Sequence, residues 1–347
     1  MDRQATMQDV ADRAGVSKST VSLAFNDASK LAEATVQKIF EAAEELGYSR
    51  DPAARMLRTR RTGSLGLLLP QQLDRVLENP YYSLFLQGVG QTCHREGFTL
   101  LLAPPLRGSM LKTIPYAAVD GFIVSGLEYD RGEVRALRQR GIPFVLVDSE
   151  WRDDVPSVDI DDSAGIEEVV RYLLGLGHRR LAFVVYETGV AGGYRNWHGS
   201  ALRRIEGAVR ALADFGMTPD DPEISIVEVP CTRAGGAAAF RELWSRDQRP
   251  TAMVAFSDIM AFGILDAARE AHVDVPSELS VSGFDDLTEA SWTSPTLTTV
   301  RQPIARKGRM AAEYLVEAIS GLDGARAHQQ RLGSALLIRA STAAPLP

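Results

Sequence analysis

Short apolar runs alternate with amphipathic stretches from residue 63 onward, and this alternation restricts the chain to a small group of folds. The strand-like runs cover residues 65–69, 99–102, 121–124, 144–147, 181–185, 224–229, 252–256 and 279–281. Helix-like stretches lie between most of them, at residues 82–95, 164–176, 202–215, 233–244 and 259–272. Strands that alternate with helices are typical of parallel sheets covered by helices on both faces. Two such sheets predict two lobes, with a ligand-binding cleft at the carboxyl ends of the strands. The short, proline-rich stretch 104–119 predicts local irregularity in the first lobe.

The first sixty residues have a different pattern, that of three short helices. Thr6 is followed three residues later by an acid, which is a common helix start. Gly15 can end that helix with a positive φ, and Ser17 can cap a second helix from 18 to about 25. A third helix is predicted at 33–46, with a buried face formed by Val36, Ile39, Phe40, Ala43 and Leu46. This arrangement is typical of a helix-turn-helix unit, which places its second helix in the major groove of DNA.

The second helix is expected to have a packing face and an exposed face. Val21 and Ala24 should pack inward, which leaves Lys18, Ser19 and Ser22 outside. Small polar groups there can approach base edges and phosphates, and Lys18 can reach a guanine edge. The alternative is an ordinary three-helix bundle whose serines and lysine are merely exposed.

The net charge of the chain hides a basic segment. The whole sequence carries −7, but residues 1–62 have ten Lys/Arg against nine Asp/Glu, a net of +1. Five arginines and one aspartate give residues 50–61 a net charge of +4. Such a basic collar on an acidic protein directs polyanions to one end of the molecule. A solvated linker would have the same charge, and the neighbouring helices make DNA the favoured partner.

Composition and motifs narrow the functional class. The 347 residues are enough for two or three domains, and 45% hydrophobic with 24% charged residues is typical of a soluble globular protein. The sequence has no apolar run long enough for a membrane span and no secretory signal pattern. Its two cysteines, Cys93 and Cys231, lack metal-ligand spacing, which favours a reduced, cytoplasmic protein. Without a phosphate loop, a metalloprotease motif or a nucleophile elbow, we expect neither an enzyme nor a cofactor.

Residues 6–57 resemble the DNA-binding headpiece of the LacI/GalR repressor family. The resemblance rests on residues 6–22, 47–48 and 54–57, and it extends through the core at 176–180, 275–286 and 295–303. It implies an all-α helix-turn-helix headpiece followed by a two-lobed α/β core like that of periplasmic sugar-binding proteins, with parallel sheets and three crossovers. The expected boundaries are 1–49 for the headpiece, 50–62 for a hinge helix and linker, and 63–347 for the core. Within the core we expect an N-lobe at about 63–162 and 293–324, and a C-lobe at about 163–292 and 325–347.

The same resemblance implies which residues contact DNA. They lie in the first two helices and in the hinge: Thr6, Gln8, Ser17, Lys18, Ser19, Thr20, Ser22, Leu23, Asn26, Arg55, Leu57 and Arg58. Leu57 matches the leucine that wedges into the minor groove and kinks the duplex, and Arg55 and Arg58 beside it can hold phosphates. Leu23 stands where the family often has a base-reading Arg or His, so the operator sequence does not carry over.

The effector site is likewise implied by matching the family's pocket. It consists of Tyr81, Tyr82, Ser125, Asp148, Arg204, Ser257, Asp258 and Asp285. Carboxylates and an arginine suit vicinal hydroxyls, and aromatic faces can stack on a sugar ring. Asp258 can equally well cap the following helix. The aromatic loop 190–200 can be a lid over the effector or a surface loop.

Together these features predict a homodimeric DNA-binding repressor whose affinity for a roughly palindromic operator is controlled by a small molecule. A carbohydrate is the expected effector, acting through different affinities for two arrangements of the dimer. The sequence shows no C-terminal leucine heptads, so we expect a dimer rather than a tetramer. A solute-binding receptor without a DNA role is the alternative.

Overall fold

The computed structural model describes residues 5–49, 56, 61–127, 131–149, 152, 154–321 and 328–346. The chain divides into two compact units, Met1–Thr62, which contains the headpiece, and Gly63–Pro347, which is the core. The predicted DNA contacts Arg55, Leu57 and Arg58 lie outside the described residues. Among the helices that the structure describes, none is both long enough and apolar enough to cross a membrane.

The described part of the headpiece consists of α1 (Met7–Ala14), α2 (Lys18–Asn26) and α3 (Glu33–Glu45), with a 3-10 turn at Ala28–Lys30. Thr6 and Asp9 form a reciprocal capping box at the start of α1, and Gly15 ends the helix with φ of 68°. Ser17 caps α2 by accepting a hydrogen bond from the backbone N–H of Thr20. These local signals set where α1 ends and where α2 begins.

A small apolar core holds the three headpiece helices together. It is formed by Val10, Ala11, Val21, Ala24, Ile39, Ala42 and Ala43. The prediction for α3 was wrong at Phe40 and Leu46, which are 43% and 36% exposed. The buried stripe of this helix is narrow, formed by Ile39, Ala42 and Ala43. Phe40 lies at its edge and packs edge-on against Phe25, with ring centroids 5.0 Å apart.

Two six-stranded sheets form the core. The strands are β1 (Ser64–Leu68), β2 (Thr99–Ala103), β3 (Gly121–Ser125), β4 (Phe144–Val147), β5 (Ser157–Ile160), β6 (Leu181–Tyr186), β7 (Ile224–Val229), β8 (Ala252–Ala255), β9 (Ser280–Asp285), β10 (Thr298–Arg301), β11 (Gln329–Leu332) and β12 (Ala335–Leu337). The helices are α4 (Leu73–Glu78), α5 (Pro80–Glu96), α6 (Met110–Thr113), α7 (Gly132–Gln139), α8 (Asp162–Gly175), α9 (Gly199–Asp214), α10 (Arg233–Trp244), α11 (Asp258–Glu270) and α12 (Ile304–Ser320). The irregularity expected at 104–119 is confirmed, since this stretch contains the one-turn helix α6, a 3-10 turn at Ile114–Tyr116 and an isolated bridge between Leu106 and Ser109.

The strand order of each sheet confirms the two-lobed α/β architecture. The N-lobe sheet has the order β11-β5-β4-β3-β1-β2, and the C-lobe sheet has the order β12-β10-β9-β8-β6-β7. The described pairs are parallel except β10 with β12, which is antiparallel. Parallel sheets of this kind need helices on both faces, and the alternation of strands and helices in the sequence supplies them.

Three crossovers join the lobes, but two of the expected lobe boundaries were wrong. The chain leaves the N-lobe after β5, returns after β10 at residues 302–303, and crosses again between β11 and β12. The return was expected near 293 and the last crossing near 325. Strand β10 instead pairs with β9 and remains in the C-lobe, while β11 pairs with β5 and remains in the N-lobe. Both strands, like β5, contain too few consecutive apolar residues to be predicted as strands.

Helix α12, which follows the second crossover, packs directly on α5 in the N-lobe. Gly88 and Gly308 allow this approach, because a Cβ atom at Gly88 would lie 1.8 Å from the carbonyl oxygen of Ala305 and one at Gly308 would lie 2.2 Å from that of Phe85. Glycine permits two helix backbones to approach this closely. The contact places the first turns of both helices close together, where Lys307 Nζ reaches the hydroxyl oxygen of Tyr81 at 3.4 Å.

Candidate functional site

A cavity of about 720 Å³ lies between the lobes of the core. Its lining includes residues that directly follow or end several strands, such as Ser125 of β3, Asp148 after β4, Glu187 after β6, Ser257 just after β8 and Asp285 of β9. The carboxyl ends of parallel strands meet at one edge of each sheet, which explains why these polar side chains converge. The volume is within the range of small-molecule sites.

The cavity brings together seven of the eight predicted effector residues. They are Tyr81, Tyr82, Ser125, Asp148, Arg204, Ser257 and Asp285. The lining also contains polar residues that the sequence analysis did not select, among them Arg75, Asn79, Arg131, Glu187, Cys231 and Gln302. Gln302 could have been noticed, because it lies within the family block 295–303, at the second crossover.

The prediction for Asp258 as an effector contact was wrong. This residue does not line the cavity, and its carboxylate is fully buried. Oδ2 accepts a hydrogen bond from the backbone N–H of Leu287 at 2.8 Å, and Oδ1 accepts one from the hydroxyl of Thr299 at 2.6 Å. Burial raises the pKa of Asp258 well above its usual value, with the charge of Asp285 acting in the same direction. Its position at the first turn of α11 turns the side chain into the C-lobe, where it bonds to the segment that follows β9 and to β10.

Arg204 is held rigidly at the C-lobe side of the cavity. Nε donates to Asp162 Oδ1 at 2.9 Å, Nη1 donates to the carbonyl oxygen of Phe256, and the guanidinium lies 3.7 Å from the centroid of the Phe284 ring. Arg203 also pairs with Asp162, through Oδ2 at 3.2 Å. Because Arg204 is 6% exposed and anchored on one edge, its remaining N–H groups can serve a ligand in a fixed direction.

Asp148 is the polar centre of the N-lobe side. Oδ2 accepts a hydrogen bond from the hydroxyl of Tyr81 at 2.7 Å, and Oδ1 accepts one from Lys307 Nζ at 2.6 Å. Burial disfavours the charged carboxylate, but the charge and hydrogen bond of Lys307 outweigh it and hold the pKa of Asp148 below its usual value. Burial, followed by the charge of Asp148, raises the pKa of Tyr81 well above 10, so the phenol stays protonated as a donor.

Asp285 is the corresponding acceptor on the C-lobe side. Oδ2 accepts a hydrogen bond from the hydroxyl of Ser257, and Oδ1 accepts one from Gln302 Nε2, both at 2.6 Å. Burial raises the pKa of Asp285, and the charge of Arg204 opposes this effect. Asp285 and Asp148 both have positive φ, of 136° and 55°. Non-glycine residues in such conformations are over-represented at ligand sites.

The aromatic loop 190–200 is fixed to the C-lobe rather than free. Its buried Trp197 donates from Nε1 to Glu228 Oε1 at 3.0 Å, and Glu228 Oε2 accepts from both the N–H and the hydroxyl of Thr188. His198 and the first residues of α9 line the cavity. In this structure the loop therefore forms part of the wall.

The described residues contain no cluster of three or more His, Cys, Asp or Glu side chains that could hold a metal ion. Cys93 is buried and Cys231 lines the cavity as a free thiol. Burial raises the pKa of Cys231 to about 12, so its thiol stays protonated and is a poor nucleophile.

The predicted DNA contacts in α1 and α2 form an accessible surface. None of the nine that the structure describes is buried, and those at the start of α2, Ser17, Lys18 and Ser19, are exposed. Several of the nine also have local roles: Thr6 caps α1, Ser17 caps α2, Gln8 donates to Asp12, and Asn26 Nδ2 donates to the carbonyl oxygen of Ser22. Lys18 has no such role, and the first turn of α2 is the part that a helix-turn-helix unit presents to base edges.

Comparisons with known proteins find a family match in each of the two units of the chain. Residues 6–51 match the model of bacterial regulatory proteins of the lacI family, and residues 170–342 match a periplasmic binding protein-like domain. The HTH-type transcriptional regulator MalR of Streptomyces coelicolor is 37% identical over 91% of this chain and 90% of its own length. The HTH-type transcriptional repressor PurR of Edwardsiella ictaluri is 35% identical over 91% of each chain.

Among solved structures, a transcriptional regulator CelR–cellobiose complex is 29% identical, covers 97% of this chain and 99% of its own, and has a TM-score of 0.71. The match of the headpiece removes the support for a solute-binding receptor without a DNA role, and these relatives are regulators rather than enzymes. The chain therefore belongs to the lacI family of bacterial regulatory proteins, as a DNA-binding transcriptional regulator with a ligand-binding core.

Proposed function

We propose that this regulator is a repressor and that a carbohydrate bound between the lobes controls its affinity for the operator. The observation that carries the proposal is the placement of Arg204 and Asp285 in one cavity, together with Asp148 and two tyrosines. An arginine donates and a carboxylate accepts, so one pair can bind a hydroxyl group in both of its hydrogen-bonding roles. Tyr81 and Tyr82 add apolar ring surface beside these groups.

The relatives support a carbohydrate and a repressing role. CelR has been solved in complex with cellobiose, and the PurR relative is named a repressor. A ligand that bridges the two lobes can favour one angle between them. If the two angles differ in how well the dimer holds the operator, ligand binding changes DNA affinity by a coupling free energy of about 1–3 kcal/mol.

The effector part of the proposal is tested by DNA binding of the full-length protein. An operator selected from a random double-stranded pool serves as the labelled fragment, and fluorescence anisotropy is measured with and without cellobiose, maltose or ribose. We expect one of the sugars to change the operator affinity by roughly 5- to 150-fold, the usual range of such coupling. The proposal is contradicted if a sugar binds the core, as seen by calorimetry, and the operator affinity stays constant.

We further propose that the nine described contacts in α1 and α2, together with Arg55, Leu57 and Arg58, form the DNA interface, with Leu57 wedged into the minor groove. Support comes from the exposed first turn of α2 and from the resemblance of the hinge. A homodimer is part of the proposal, because two headpieces on a two-fold axis would read a roughly palindromic operator.

Lys18→Ala should weaken specific binding, because Lys18 lies in the exposed first turn of the recognition helix. A side chain that contacts a guanine edge contributes about 1–3 kcal/mol of discrimination, so we expect roughly 5- to 150-fold weaker operator binding. Affinity for random-sequence DNA should fall much less. Anisotropy titrations with both DNA types at one salt concentration measure the two effects.

Lys38→Ala is the matched control, since Lys38 is an exposed lysine of α3, outside the recognition helix. It should change both affinities by less than the Lys18 substitution. Equal losses for the two variants on both DNA types would mean that Lys18 contributes only general charge.

A further inference from the structure

Lys307 is a fully buried lysine beneath the ligand cavity, which it does not line. It lies in the first turn of α12, the helix that begins just after the second crossover. Nζ donates to Asp148 Oδ1 and to Gln302 Oε1, both at 2.6 Å, and reaches the hydroxyl oxygen of Tyr81 at 3.4 Å. A lysine ammonium has three N–H donors and no acceptor, so these three oxygens use its whole capacity.

This cation fixes the orientation of the Gln302 side chain. An ammonium can only donate, so the carbonyl oxygen of the Gln302 amide must face Lys307. The NH₂ end must then face the opposite way, where it donates to Asp285 Oδ1. The hydroxyl of Ser257 donates to the other oxygen of Asp285, and the hydroxyl of Tyr81 donates to Asp148.

The donor groups of Lys307, Gln302, Ser257 and Tyr81 are therefore all directed at other residues of this network. Asp148 and Asp285, with both carboxylate oxygens already accepting hydrogen bonds, present only further lone pairs to the cavity. Arg204, whose charge acts on Asp285, is the neighbouring donor. A neutral hydroxyl can donate to a carboxylate and accept from Arg204, whereas a carboxylate or phosphate would face two anions.

We propose that Lys307 is a positioning residue that sets the hydrogen-bond polarity of the cavity floor, so that the ligand end bound there carries neutral hydroxyl donors and not an anionic group. The inference rests on the proposed function in assuming a small polar ligand. It adds a cause for the hydrogen-bond polarity of the site: the buried ammonium of Lys307, which lies outside the cavity. The ammonium of Lys307 also connects the two lobes. The hydrogen bonds run from Asp148 in the N-lobe through Lys307 and Gln302 to Asp285 in the C-lobe.

The first test needs no ligand. NMR of the full-length protein measures how strongly the side-chain NH₂ of Gln302 is protected from exchange with solvent, which reports whether the amide is held in place. In the natural protein we expect the side-chain NH₂ of Gln302 to be protected from solvent exchange. Lys307→Met removes the donor that holds the amide, and Lys307→Met combined with Asp148→Asn also restores charge balance in case the single variant does not fold. Loss of protection by at least tenfold in the double variant supports the proposal, and unchanged protection in the folded double variant overturns it. Lys112→Met, at an exposed lysine of the same lobe, is the control and should leave the amide protected.

The second test compares neutral sugars with their acids by calorimetry, using cellobiose with cellobionate and ribose with ribonate. Like charges brought together in a binding site cost several kcal/mol, so the neutral member should bind at least roughly tenfold more tightly. Tighter binding of the acid would overturn the inferred polarity. If all four compounds fail to bind, the carbohydrate proposal is contradicted, while the amide measurement still decides the role of Lys307.

Discussion

Arg204→Met is expected to lower the free energy of unfolding by about 3–5 kcal/mol, because it leaves a buried carboxylate with half of its partners. Asp162 is 1% exposed and is held by Arg204 at 2.9 Å and Arg203 at 3.2 Å. Methionine fills similar space but cannot donate to Asp162 or to the carbonyl oxygen of Phe256. A loss of this size corresponds to a Tm lower by roughly 10 °C, which thermal unfolding of the ligand-free protein would measure.

A second substitution separates this structural role from the proposed contact with the effector. In the double variant Arg204→Met/Asp162→Asn the buried charge is gone, so we expect about half of the lost stability to return. Sugar binding should stay weak, since the donor toward the ligand is still missing. If the double variant binds sugar as tightly as the natural protein, Arg204 does not contact the effector. Arg203→Met is the matched control, and it should cost less because Arg203 is partly exposed.

The sequence predicted the site best where one local pattern decides the position of a side chain. Asp148 and Asp285 come at the ends of apolar strands, and parallel topology brings such positions to the same edge. Asp258 has the same local pattern, but it begins a helix that points its carboxylate into the C-lobe. Whether a polar residue after a strand faces the cleft depends on one backbone rotation, which neither strand periodicity nor composition fixes.

Long-range partners could not be predicted from the sequence. Lys307 lies 159 positions from Asp148, in the basic run 306–309 of an amphipathic helix, and such a run suggests an exposed face. Its burial depends on the glycine contact between α5 and α12, which only the packed structure shows. For the same reason the polar strands β10 and β11 were missed, because pairing with β9 and β5 determines their structure more than their own residues do.

A buried aspartate near the first crossover gives the second large prediction. Asp159 of β5 is 5% exposed, and Oδ1 accepts a hydrogen bond from the backbone N–H of Ser149 at 3.0 Å. Among the described residues, Oδ2 and the hydroxyl of Ser157 both lack a hydrogen-bond partner. Burial raises the pKa of Asp159 to about 6, and the charge of Asp148 acts in the same direction, while the hydrogen bond from the Ser149 backbone N–H and the charge of Arg203 oppose it. Keeping this carboxylate ionised at neutral pH therefore costs folding free energy.

Asp159→Asn is expected to stabilise the protein at pH 7.5 by up to about 3 kcal/mol, the value of a shift of roughly two pKa units. The folded carboxyl binds its proton more tightly than the unfolded one. The contribution of Asp159 to the free energy of unfolding therefore falls as the pH rises from about 4 to about 6, and it stays constant above about pH 6. An asparagine keeps an oxygen for the Ser149 amide and adds a donor toward Ser157. Urea unfolding of both proteins at pH 4.5 and 7.5 should show a difference that is small at the lower pH and large at the higher one.

The difference between the two proteins is the quantity to follow, because other carboxylates titrate in the same range. Asp148, whose pKa is lowered chiefly by Lys307 against the effect of burial, contributes stability that is lost on acidification, with the opposite sign. Asp247→Asn, at an exposed loop position, is the matched control and should give a small difference at both pH values. A destabilised Asp159→Asn variant at pH 7.5 would mean that the ionised carboxylate makes a favourable contact. Asp159 lies on β5 and Asp148 directly follows the neighbouring strand β4. The opposite pKa shifts of these two carboxylates then follow chiefly from one difference between them, the ammonium of Lys307 that reaches Asp148.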